Sequence, residues 1–176
     1  SRYNTQTRKN VVVARGNRFP LGIQARRGNF GGALALSTKD FPPGITLHAA
    51  PMASNKTSQT IVFEAAADAP IGGNLGDLMG KLMGEKAADI SGGIWQNYDL
   101  VQNGNRGVYY KTWVDKMAAV VVEELPFKIR IEEIKAPLVR AGTLPLKIIA
   151  ERKEGFKGNI NVRMLTRPSG LSCSSN

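Results

Sequence analysis

The sequence predicts an all-β protein: an antiparallel β-sandwich followed by the opening strands of a second. Three observations lead there. Short apolar runs of period two recur along the chain between turn signals. Nineteen Gly and nine Pro in 176 residues supply those turns. Roughly 30 residues near the start return late in the chain with a single one-residue shift, a spacing that means duplication of a whole domain and not a solenoid.

The first strand candidate is RFPLGIQAR, Arg18 to Arg26, where Phe19, Leu21, Ile23 and Ala25 share one face. Its echo is TLPLKIIAE, Thr143 to Glu151, with Leu144, Leu146, Ile148 and Ala150 in the same phase. Pro20 and Pro145 match across 125 residues, and a proline inside a strand pattern implies an edge or a bulge. RRGNFGGALAL then corresponds to RKEGFKGNINV, now offset by 126. Phe30 falls on Phe156, Gly32 on Gly158, and Leu34 and Leu36 on Ile160 and Val162, so both copies should launch a strand here. FPPGI, Phe41 to Ile45, falls on RPSGL, Arg167 to Leu171, and a Pro-x-Gly turn should open the next strand in each.

Between the copies, TIVFEAAADAP places Ile61, Phe63 and Ala65 on one face. MAAVVVEE is apolar and β-branched, and LPFKIRIEEI alternates Phe127, Ile129 and Ile131 with Lys128, Arg130 and Glu132. GNLGDLMGKLMGEKA is contested. Leu75, Leu78, Met79, Leu82 and Met83 have helical spacing, but Gly73, Gly76, Gly80 and Gly84 weaken a helix, so a bulged strand or glycine-rich loop is expected. The first sandwich should occupy 1–124, with 1–10 either flexible or the end of a preceding segment. Residues 125–176 should form the first strands of a second sandwich. About 50 residues are too few to close it, so the chain is expected to belong to a longer protein or to be completed by another chain.

Charge narrows the partners. The net charge is +10, and between Arg2 and Arg27 there are seven basic residues and no acidic one. Arg15, Arg18, Arg26 and Arg27 form the candidate basic contact face, suited to an anionic polymer such as an acidic glycan. No zinc-finger or helix-turn-helix pattern accompanies them, and no aromatics interleave with them, which disfavours nucleic acid. No run of 18 apolar residues is present, so no transmembrane helix is expected. The lone Cys173 excludes an intrachain disulfide.

FPLGIQARRGNFGGALAL…FPPGI, then AAADAPIG, then QNYDLV…NRGVYYKTWVDKMAAVVVEELPF resembles the repeated immunoglobulin-like β-sandwich modules of large bacterial exported proteins, the kind found with pre-peptidase-type C-terminal domains. The resemblance spans almost all of residues 10–170. It implies a tandem immunoglobulin-like sandwich, the second copy incomplete, in a surface-associated protein of periplasmic or cell-surface location. It also implies a hinge at EELPF, a structural or adhesive role, and no catalytic residues or cofactor. Neighbouring domains of the same chain, or other copies of it, are the implied partners.

Candidate chemistry is sparse. His48 is the sole histidine, and a catalytic role would need an acid such as Asp40 against it and an oxyanion hole; a strand-end or loop histidine is the simpler reading. One His and one Cys cannot make a zinc set, and Asp68, Asp77, Asp89, Asp99 and Asp115 are too dispersed to suggest calcium. No Gly-Lys-Ser/Thr phosphate loop occurs. The aromatics offer more. Trp95, Tyr98, Tyr109, Tyr110 and Trp113 fall within 19 residues around NGNRG, a turn signal. Trp95, Tyr98, Tyr110 and Trp113 are the candidate ligand-binding residues of a carbohydrate-binding accessory domain in a secreted hydrolase. Against that stands the expectation that Trp95, Tyr109 and Trp113 pack the core or cap it near NGNRG. Tyr109 and Tyr110 are adjacent and must point to opposite faces, so at least one should face outward.

Overall fold

A computed structural model of the chain describes residues 9–84, 90–102, 107–164 and 170–173. Among them there is no helix, and the protein is all-β. In chain order the strands are β1 (Val11–Ala14), β2 (Arg18–Gln24), β3 (Leu34–Lys39), β4 (Ile45–His48), β5 (Ser58–Ala65) and β6 (Gly72–Leu82). There follow β7 (Ser91–Gly93), β8 (Gln96–Gln102), β9 (Val108–Val114), β10 (Met117–Val122), β11 (Phe127–Ile131) and β12 (Ile148–Arg152). The chain divides into two compact units, Ser1–Glu124 and Leu125–Asn176.

In the first unit β1, β10, β6 and β3 lie side by side, with β7 added to β6. A second sheet runs β2-β5-β4, and β8 and β9 form a separate ribbon. Both larger sheets feed one core. Val11, Val13, Leu78, Met117, Ala119 and Val121 come from the first, and Leu21, Ile61, Phe63 and Ala65 from the second. The strand alternation read from the sequence explains this. Ile61, Phe63 and Ala65 point inward from β5 and are buried, while Thr60, Val62 and Glu64 between them are only partly covered.

The pairing is antiparallel throughout except for one ladder. β1 runs parallel to β10, with Val11 opposite Ala119 and Val13 opposite Val121. The first and last strands of the unit are therefore neighbours. Pro20 sits in β2, an edge strand, where its missing N–H costs no ladder bond on the open side. The Pro-Pro-Gly turn forms as expected: Ile45 N–H donates to the Pro42 carbonyl at 3.3 Å, Gly44 has φ +82°, and β4 begins at once.

The contested glycine-rich segment is a strand as far as Leu82, within the eleven-residue β6, and its last three residues, 85–87, lie outside the described residues. The first part of β6, 72–76, pairs with β10 and its second, 77–82, with β3. The change of partner falls where Lys116 Nζ meets Asp77 Oδ2 at 2.7 Å. The glycines are what a close-packed strand needs. A Cβ on Gly76 would stand 2.4 Å from the Phe41 ring, which stacks on buried Phe63 at 5.3 Å between centroids. Leu78 on this strand is buried and Leu75 exposed, so the helical spacing of the leucines was accidental.

In the second unit β11 pairs antiparallel with β12, Ile129 opposite Ala150 and Ile131 opposite Ile148. Two expectations need correction. The strand expected from Thr143 begins only at Ile148, because its partner ends at Ile131 and the last bond beyond it joins Glu132 N–H to the Lys147 carbonyl. Pro145 therefore lies outside the strand. Residues 159–162 form no strand either. In the first unit the corresponding β3 is held by β6, whereas a strand without a ladder partner leaves its backbone groups to water. Lys153–Phe156 form a turn, in which Phe156 N–H donates to the Lys153 carbonyl at 3.1 Å and Gly155 has φ +80°.

Gly76→Ala should destabilise the first unit by about 2 kcal/mol through overpacking against Phe41. Gly80→Ala, whose Cβ would meet nothing nearer than 3.7 Å, should be neutral or slightly stabilising. Denaturant unfolding of the two variants checks the contrast.

Candidate functional site

The β8–β9 ribbon carries the aromatic cluster. It is anchored at its base. Ile94 N–H donates to the Leu78 carbonyl at 2.8 Å, and the Gln96 side chain accepts from Lys9 N–H at 2.7 Å while donating to the Lys9 carbonyl at 3.0 Å. Beyond that base Leu100, Val101, Val108, Tyr109 and Tyr110 are all exposed. The Asn103–Arg106 part of NGNRG lies outside the described residues, as does Asp89.

Register sorts the side chains. Asn97 stands opposite Trp113 and Asp99 opposite Lys111, so these four share one face, with Trp95 and Tyr109 in phase. Tyr98 stands opposite Thr112 and Val101 opposite Tyr110, on the other face, after a register shift between Asp99 and Val101. The candidate residues Trp95 and Trp113 are thus brought together, while Tyr98 and Tyr110 are turned away from them. The expectation that Trp95, Tyr109 and Trp113 pack the core is corrected. They are 46%, 68% and 51% exposed, and Tyr110 is 70% exposed. The core lies between the two larger sheets, and the ribbon belongs to neither.

The tryptophans make a corner, their ring centroids 4.1 Å apart and their planes at 70°. Arg26 joins it from the end of β2, its guanidinium 5.1 Å from the Trp95 ring centroid. Lys111 Nζ lies 5.9 Å from the Trp113 ring centroid. Both distances suit a cation over an aromatic face. Lys111 and Asn97 were not singled out from the sequence. The signal was there in YYKTW, where Tyr109, Lys111 and Trp113 alternate in phase.

The other basic candidates are occupied within the fold. Arg15 Nε donates to the Ala69 carbonyl at 2.6 Å. Arg27 donates to the carbonyls of Gly32, Met52 and Ala53 at 2.7, 3.2 and 3.0 Å, and its guanidinium lies over the Phe30 ring. Arg18 Nε donates to Glu64 Oε2 at 2.9 Å. Arg18 and Arg26 are separated by the length of β2, so the four do not make one continuous face. The acid beside His48 is Glu64, not Asp40, with His48 Nε2 2.9 Å from the same Oε2 that Arg18 holds. Cys173 is exposed. Among the described residues no group of three or more His, Cys, Asp or Glu side chains could hold a metal ion, and no helix is long and apolar enough to cross a membrane.

No family model, curated protein or solved structure matches this chain.

Arg18's hydrogen bond, aided by the nearby His48, holds the Glu64 carboxyl below its ordinary value of 4.5. A carboxylate with a lower pKa folded than unfolded adds stability that is present above the unfolded value and lost as pH falls through the folded one. Glu64→Gln should therefore leave a flatter acid limb below about pH 4.5, the change being small because the pair is exposed. Denaturant midpoints of wild type and variant at about pH 3 and about pH 7 check it.

Proposed function

We propose that this chain is a non-catalytic structural and interaction module of a bacterial exported, surface-associated multidomain protein, built as an immunoglobulin-like sandwich with a second copy begun after Glu124. The observation that carries the reading is the parallel pairing of β1 and β10. A unit whose first and last strands run side by side in the same direction receives the chain at one end of that ladder and releases it at the other. Such a unit can be threaded in series, with neighbouring domains or other copies as partners. Its role is then to space other domains and to transmit tension.

A similar side-chain device stands near the start of each proposed copy, although the sequence match sets Arg152 on Arg26 and not on Arg27. Arg27 lies over the Phe30 ring and donates to the Gly32 carbonyl. Arg152 lies over the Phe156 ring, 5.4 Å from its centroid, and donates to the Gly158 carbonyl at 2.6 Å. Gly44 and Gly170, matched in the sequence repeat, have φ of +82° and +86°. A second reading, the carbohydrate-binding accessory domain, is favoured by one specific observation: both tryptophans are half exposed on a ribbon outside the core.

Pulling on the unit tests the tension-bearing role. Force applied through handles at Lys9→Cys and Glu123→Cys, in a Cys173→Ser background, loads the β1–β10 ladder in shear, so its hydrogen bonds must fail together. Arg15 N–H donates to the Val122 carbonyl, and the period of two gives Val13 N–H the same direction. Single-molecule pulling should show one high-force rupture, lowered by Val13→Pro. A rupture force no higher than that of unzipping a hairpin would remove the mechanical reading.

A further inference from the structure

We propose that the Trp95–Trp113 corner, flanked by Arg26 and Lys111, is a binding site for acidic polysaccharide, taking carboxylate-bearing sugar rings of the uronate class. This rests on the carbohydrate reading above and narrows it to a chemical class and a set of residues. Sequence reasoning treated the basic residues and the aromatics as two separate candidates. The fold joins them through a single arginine: of the four basic candidates, Arg26 is the one laid against the aromatic ribbon.

The chemistry follows from that junction. An indole offers an apolar face to the C–H face of a pyranose, and both rings are about half open to solvent. Arg26 at one ring and Lys111 at the other set positive charge on both sides of the corner. A guanidinium is the side chain best shaped to receive a carboxylate, through two parallel N–H donors. Asn97, opposite Trp113 in register, places an amide on the same face to meet sugar hydroxyls. The net charge of +10 adds long-range attraction for a polyanion.

The same features argue against a nucleic-acid strand. Base-stacking grooves present successive ring faces along a charged track. Here the two rings stand at 70°, which makes one corner and not a track.

The molecule carries its own reporter. Its two tryptophans are Trp95 and Trp113, so the intrinsic fluorescence of the whole chain reads this corner alone. Titration with polygalacturonate should shift or quench that emission, and the effect should weaken as salt rises. Arg26→Gln and Lys111→Gln keep both tryptophans and should each weaken binding about tenfold. Tyr110→Ala, on the opposite face, should leave it unchanged, and far-UV circular dichroism should show every variant folded. Equal response to a neutral dextran, unaffected by Arg26→Gln and Lys111→Gln, would overturn the acidic class while leaving the carbohydrate reading intact. Response to oligodeoxythymidylate with none to polygalacturonate would overturn the proposal in favour of nucleic acid. Silence toward all three polymers would overturn both the proposal and the carbohydrate reading.

Discussion

The parallel ladder between Val11–Ala14 and Met117–Val122 is the contact on which the first unit depends. It joins segments more than a hundred residues apart in the chain, and closing so long a loop costs roughly 4 kcal/mol in chain entropy. The ladder places Val11, Val13, Met117 and Val121 in the core, each at or near zero exposure. Burying a side chain of that kind contributes about 1.5 kcal/mol or more apiece, so the buried face more than offsets closure. The outward members of the same ladder, Val12 and Val120, remain partly open. What the ladder does for the core on one face it does for connectivity along its length, because it sets the direction in which the chain leaves the unit.

The ribbon is the complement of that core. Its strands pair with each other and, beyond the anchors at Ile94 and Gln96, are open on both faces. A lone two-stranded ribbon is marginally stable in water. The edge-to-face contact of Trp95 with Trp113 and the cation of Arg26 over Trp95 brace its base against the body. Folding therefore leaves apolar surface here that the core does not consume, and exposed aromatic surface beside fixed cations is a basis for recognition.

Much of the fold was legible because period two is a local property. The inward faces of β2 and β5 follow directly from the alternation of Leu21 and Phe63 with their neighbours, whereas β10, apolar at every position, showed only that a strand was there. The glycines of β6 argued against a helix through their poor helix propensity, and the structure adds a second reason at Gly76, the close approach of Phe41. What was hidden is non-local. Alternation says which residues share a face but not whether anything covers it, so Trp113 and Tyr109 were assigned to a core that forms elsewhere. No local pattern announces that Arg26 meets Trp95, or that Arg15 and Arg27 are held by backbone carbonyls. The parallel sense of β1 against β10 was equally silent, and so was the absence, among the described residues, of a ladder partner for residues 159–162. The one long-range signal the sequence did carry was the likeness of its early and late segments.

Hydrogen exchange on the full chain tests the ladder most directly. By period two the amides of Val13 and Arg15 donate to β10, while that of Val12 points away. The account expects Val13 and Arg15 to exchange as slowly as the amides of β5 and β10, with Val12 fast, because all open only when the unit unfolds. If Val13 and Arg15 instead exchange at the rate of a frayed terminus while β5 and β10 stay protected, the β1–β10 ladder does not close the unit, and the account built on it fails.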